Sequence, residues 1–170
     1  MKTPILILTT FFLCISSCIS QVVWTDKTRI LPDDLRKVPV AILLTHSTNP
    51  NYPELNKVKP KKKGKYVWKH STSITAVNKT LEIVKAGSFI WYSAEGWQRN
   101  AEYNKRDIAN RFNCPKGILK KGVTYTYSRN YRYGNNTYGG DALWYVIAKD
   151  DDGNLYKGMG IIETESEVID

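Results

Sequence analysis

The chain is poor in the residues that do chemistry. Its 170 residues include three cysteines, two histidines and two methionines, and two of the cysteines, Cys14 and Cys18, fall in the leading segment. Once that segment is removed or modified, Cys114 has no intrachain partner, so a hydrophobic interior rather than a disulfide framework must hold the fold. No glycine-rich turn precedes a helix, which argues against a nucleotide cofactor. No apolar run reaches the ~20 residues of a membrane-spanning helix. No internal repeat is visible.

The few candidate ligands and nucleophiles are badly spaced. His46, His70, Cys114 and Met159 make up the inventory of a blue-copper site, but no histidine follows Cys114 and Met159 lies 45 residues beyond it. Asp150, Asp152 and Asn154 open like a calcium loop, yet that loop wants glycine and glutamate where Leu155 and Ile161 stand. This stretch is read as a solvated turn, and Met159 as a packing residue of the hairpin it belongs to. Cys114 falls near a predicted helix C-terminus, where the dipole opposes a thiolate. Ser71 and Ser73 follow His70, but neighbouring strand residues point to opposite faces. Glu82, Glu95, Glu102 and Asp141 are scattered. The sequence therefore nominates no catalytic residue, no metal ligand and no cofactor.

What is present begins at the N-terminus. Lys2 precedes an apolar stretch from Pro4 to Cys14, and the small residues Ser16, Ser17 and Ser20 follow, in the order of a secretory signal. Ile15-Ser16-Ser17-Cys18 resembles the lipobox of bacterial lipoproteins. That resemblance implies cleavage before Cys18, an acyl chain on Cys18 and a membrane-anchored protein of the cell envelope. The alternative is cleavage after Ser20, giving a soluble secreted or periplasmic protein that begins at Gln21. Loss of residues 1–17 leaves 170 − 17 = 153 residues, one domain's worth, with 24 basic and 16 acidic side chains, or +8. This charge favours anionic headgroups, an anionic glycan or an envelope protein as partners; export argues against nucleic acid.

Three regions follow from composition: a signal peptide at 1–17, a lipidated N-terminus and basic tether at 18–65, and a β-rich globular domain at 66–170. Within the tether, "LPDDLRK" predicts one helical turn and Val38 to His46 a strand. Prolines and seven lysines between Lys57 and Lys69 predict an exposed segment that could press on anionic lipid, each lysine adding about 1 kcal/mol at most. From Tyr66 onward, β-branched and aromatic runs predict successive antiparallel strands. One short helix interrupts them, with Asn104 as N-cap, Ile108 and Phe112 on one face and Pro115 as stop. The strand from Ala142 to Lys149 is apolar on both faces, which predicts a central position, and Asp152-Gly153 predicts a tight primed turn into the strand from Leu155. The fold class is α+β, mainly β: a twisted antiparallel sheet, open or rolled into a partial barrel, with one short helix packed on it.

One stretch carries a functional signal. "TYTYSRNYRYGNNTYGGDALW" interleaves tyrosines with arginine, asparagine and glycine, a mixture that gives amphipathic contact area at low entropic cost. Tyr127, Arg129, Tyr131, Arg132, Tyr133 and Tyr138 are the candidate ligand-binding residues. The expected function is a non-catalytic envelope lipoprotein that binds a glycan, peptide or partner protein. Two alternatives are an envelope hydrolase with a site near His70 and a copper or other soft-metal protein.

Overall fold

The computed structural model describes residues 29–58, 64–92 and 95–169. The signal segment, Cys18, Ser20 and Lys59 to Lys63 lie outside the described residues. The elements are α1 (Asp33–Arg36), β1 (Val40–Ser47), β2 (Pro53–Leu55), β3 (Tyr66–Trp68), β4 (Ser71–Ala76), β5 (Leu81–Tyr92), β6 (Gly96–Asn104), α2 (Lys105–Arg111), β7 (Ile118–Leu119), β8 (Thr124–Tyr127), β9 (Arg132–Gly134), β10 (Gly140–Lys149) and β11 (Leu155–Thr164). The protein is mainly β, a large twisted mixed sheet with the short helix α2 packed on one face and the single turn α1 on the other, and among the described residues the sheet does not close into a barrel.

The main sheet runs β6-β5-β10-β11-β1-β4-β8, with β7 paired to the start of β5. β10 is buried from Ala142 to Ala148 on both faces and lies between β5 and β11, the inner place its double-sided apolar pattern requires. All pairings in the sheet are antiparallel except β1 with β11, which are parallel. The strand expected at 38–46 is thus an inner strand between β11 and β4. The globular unit takes in chain upstream of Tyr66, the boundary composition suggested, because Ile42 and Leu44 complete its core. β2 also precedes that boundary; it pairs with β3, and β3 with β9, to form a second, three-stranded sheet.

Local chemistry sets the ends of α2. The Asn104 side chain accepts the Asp107 N–H at 3.0 Å, and Ile108 and Phe112 bury one turn apart against the sheet. Pro115 begins the turn that follows. The β10–β11 hairpin departs from the tight primed turn that Asp152-Gly153 predicts: the last paired residues are Lys149 and Leu155, leaving a five-residue loop. Asp150 organises it, accepting the N–H groups of Asp152 and Asn154 at 3.1 and 2.9 Å, the Tyr156 hydroxyl at 3.1 Å and the Lys79 ammonium at 3.0 Å. Gly153 supplies the positive φ, +84°, that closes the loop.

The two faces of the sheet carry separate cores. Ile42, Leu44, Ile74, Ala76, Ile83, Val146 and Ala148 pack with Phe112 and Ile108 of α2 on one face, and Phe89, Leu143, Tyr145 and Ile147 pack with Leu35 of α1 on the other. Met159 packs into that second cluster, in the hairpin role expected of it. Lys157 is buried beside α1 and donates to the Leu35 carbonyl at 2.6 Å. Gly158 and Gly160 make room for β1: a Cβ on either would come within 2.7 Å of Ile42 or Leu44.

Candidate functional site

Along the face that carries α2, side chains change character with each step away from the helix. Paired across β1 and β4 are Ile42 with Ala76, Leu44 with Ile74, and then His46 with Thr72. On β10 the matching row runs Ala148, Val146, Trp144. Hydrocarbon gives way to a buried polar band. Asn130, at the end of the β8–β9 turn, reaches into it: its backbone N–H donates to the His70 carbonyl at 3.1 Å and its amide to Thr72 Oγ1 at 2.9 Å.

The band's protons can be assigned by elimination. His46 Nε2 faces the Gly160 carbonyl at 3.4 Å, which only accepts, so Nε2 carries the hydrogen; Nδ1 then accepts from the Thr72 hydroxyl at 3.0 Å. Asn51 Nδ2 donates to His70 Nδ1 at 3.2 Å, which places the His70 proton on Nε2. That Nε2 and the Trp144 indole nitrogen are buried without a hydrogen-bond partner among the described residues. Burial lowers His46 from 6.5 to about 4, with the Gly160 carbonyl opposing and Arg132 adding to the fall. Burial also lowers His70, to about 3, with His46 and then Arg132 contributing. Both imidazoles are neutral at ordinary pH.

Beyond the band the face opens into a cavity of about 350 Å³, lined by Asn100, Tyr103, Arg111, Tyr127, Asn130, Tyr131, Arg132, Tyr133, Tyr138 and Trp144. Five of the six tyrosine-loop candidates line it. Arg129 does not: the hydrogen bond from Asn130 to the His70 carbonyl pulls the chain inward one residue later, and Arg129 stays exposed on the turn. A second cavity, of about 400 Å³, shares Asn100, Arg132 and Tyr138 in its lining and continues past Trp91, Tyr92 and Asp141. Arg132 belongs to both. Tyr131 and Tyr133, on either side of it in the chain, also line a separate pocket with Glu54, Lys57 and Lys69.

The walls are held by the two sheets and α2. β9 is fixed by pairing with β3, opposite Trp68, whose indole N–H donates to the Glu165 carbonyl at 2.9 Å and whose ring lies 4.4 Å from that of Tyr138. Tyr103 of β6 stacks on Trp144, planes 13° apart. The Arg111 guanidinium sits 4.6 Å over Tyr103 and 5.5 Å over Tyr127, and donates to the Tyr127 hydroxyl at 3.1 Å. Asn100, Tyr103, Arg111 and Trp144 come from three other elements and are not among the residues that the tyrosine-rich segment nominates. The registers of β6 with β5 and of β5 with β10 put Tyr103 and Trp144 on the same side of the sheet, and nothing local in the sequence marks this.

The alternative chemistries find less. Cys114 belongs to the apolar cluster under α2; its thiol donates to the Ile118 carbonyl at 3.1 Å, and burial pushes it up to about 11. Met159 is on the opposite face of the sheet from His46 and Trp144. Among the described residues no three His, Cys, Asp or Glu side chains are grouped closely enough to hold a metal ion. Among the described residues no helix is long and apolar enough to cross a membrane. Lys69 pairs with Glu54 at 2.6 Å in the open. Comparison with protein-family models, with curated proteins and with solved structures finds no match to this chain.

Proposed function

We propose that this chain is an exported, lipid-anchored binding module of the cell envelope, non-catalytic, whose ligand seats in the cleft formed by the two cavities. The observation that carries this reading is convergence. Tyrosine, tryptophan and arginine side chains from β6, α2, β8, β9 and β10 and from the turn before β10 line one concave space, and concave sites with few placed polar groups are where proteins hold ligands. The polar band beneath gives the cleft a rigid floor, since Asn130 and Thr72 tie the β8–β9 turn to the sheet. The anchor rests on the lipobox-like Ile15-Ser16-Ser17-Cys18.

The site is tested by titrating soluble oligosaccharides and peptides into the isotopically labelled mature chain. Ligand-induced shifts are expected at the Trp144 indole N–H, which has no hydrogen-bond partner among the described residues, and along Tyr131 to Tyr133. Shifts confined to the face that carries α1 would remove the cleft from consideration. For the anchor, mass spectrometry of the native product should show an N-terminal peptide starting at acylated Cys18. A product that starts at Met1 or Gln21 without acyl mass would overturn it.

A further inference from the structure

The lining of the first cavity is unbalanced in a way that names a ligand chemistry. It holds two guanidinium groups and no carboxylate. Among the described residues neither Arg111 nor Arg132 has an ion-pair partner. Of the remaining polar groups, the amides of Asn100 and Asn130 already donate to Ser88 and Thr72, and the indole nitrogen of buried Trp144 has no partner among the described residues. Buried donors want acceptors, and uncompensated arginines want an anion, above all one whose two oxygens match the planar fork. The carboxylate that lines the second cavity, Asp141, is already paired with Arg29.

The other half of the lining is aromatic. Ring faces carry negative potential, so they attract the weakly positive C–H groups of a saturated ring and offer flat contact without many rotamers to fix. Arg111 is held over Tyr103 and Tyr127, which keeps its charge in place before any ligand arrives. Resting on the cleft being the ligand site, we infer that its ligand is a carboxylated saccharide, a glycan containing uronic or nonulosonic acid, whose carboxylate is held by Arg132 and Arg111 while its ring lies against the tyrosines.

The test uses the mature protein and a panel of carboxylated oligosaccharides: oligogalacturonate, oligomannuronate, hyaluronan hexasaccharide and sialyllactose. Alongside run the methyl ester of oligogalacturonate, cellohexaose and a sulfated heparin hexasaccharide, all by calorimetry. At least one carboxylated member is expected to bind, with the neutral sugars at least ten-fold weaker. Arg132→Gln, checked for folding by circular dichroism, should lose at least ten-fold for the acid. Binding of neutral sugars with equal affinity, lost in Tyr138→Ala but kept in Arg132→Gln, would keep the cleft as the site and overturn the acidic-sugar assignment. Preference for the sulfated hexasaccharide would overturn it as well. Absence of binding across the carboxylated panel would do the same.

Discussion

One face of the main sheet is built in two ways, and under the proposed function the contrast separates stability from binding. Under α2 the rows Ile42/Ala76 and Leu44/Ile74 meet Ile108 and Phe112, all nearly free of water. One residue pair further on, His46/Thr72 replaces hydrocarbon, and the covering element changes from a helix to the β8–β9 turn and β9. The apolar half gains stability from burial and offers nothing to a ligand. The polar half encloses two neutral imidazoles, His46 half-buried and His70 buried, and among the described residues leaves His70 Nε2 and the Trp144 indole nitrogen without partners, an arrangement that costs stability and that the proposed binding role would explain.

That contrast is broken most strongly from its apolar side. Phe112→Ala empties the contact between α2 and the sheet and should cost about 3–5 kcal/mol in chemical denaturation. Ligand shifts at the Trp144 indole should persist in whatever fraction remains folded, because Phe112 does not line the cleft. Acid acts on the polar half instead. The unfolded chain's histidines take up protons near 6.5, whereas the folded ones resist to about 4 and about 3. Stability from this source is therefore full above pH 7.5 and is lost as pH falls through 6.5, by about 1.4 kcal/mol for each histidine at pH 5.5. His70→Gln should roughly halve that loss in urea melts at pH 7.5 and 5.5. An unchanged pH dependence would mean that the band admits protons when folded.

A third intervention moves the boundary between the halves. Gly160 lies under Leu44, and an added Cβ would sit 2.7 Å from Leu44 Cδ2 and 2.8 Å from its carbonyl. Gly160→Ala should push β1 off β11 and destabilise by about 1–3 kcal/mol. It should also lengthen the contact between His46 and the Gly160 carbonyl, visible as a shift of the His46 ring resonances.

The two halves were not equally legible in the sequence. The apolar half is written locally: Ile108 and Phe112 one turn apart, Asn104 as cap, Ala142 to Lys149 apolar on both faces. Each pattern depends only on neighbours along the chain, and each stands in the fold as read. The polar half is assembled from distant pieces. β1 and β11 lie more than a hundred residues apart, and their parallel pairing leaves no periodic trace in either, so composition alone places a strand rich in Ile and Leu in a tether because a lysine-rich stretch follows it. The same holds at the cleft. Five candidates sat in one tyrosine-rich segment and could be named together, whereas Tyr103, Arg111 and Trp144 join them only through sheet order. Arg129 shows the reverse: it shares the segment's composition, but one backbone hydrogen bond from Asn130 decides which residues turn inward. In the hairpin, Asp-Gly predicted a two-residue turn, and Asp150 outweighed it by gathering two backbone N–H groups, a hydroxyl and an ammonium into a longer loop.

The smallest expected effect on stability tests the contrast most directly. Tyr138 is 41% exposed, lies 4.4 Å from Trp68 and borders both cavities. If the polar half serves binding, Tyr138→Ala should cost about 1 kcal/mol or less in thermal denaturation, since so much of the ring already meets water. The same change should weaken saccharide binding several-fold, because it removes one aromatic wall. Tyr138→Phe keeps the ring and discards the hydroxyl. If that variant restores affinity, the ring's face is what the ligand meets; if it binds as poorly as the alanine variant, the hydroxyl donor is. Should Tyr138→Ala instead unfold the protein as readily as Phe112→Ala, the loop would be core, and the division of this face into a stabilising half and a binding half would be wrong.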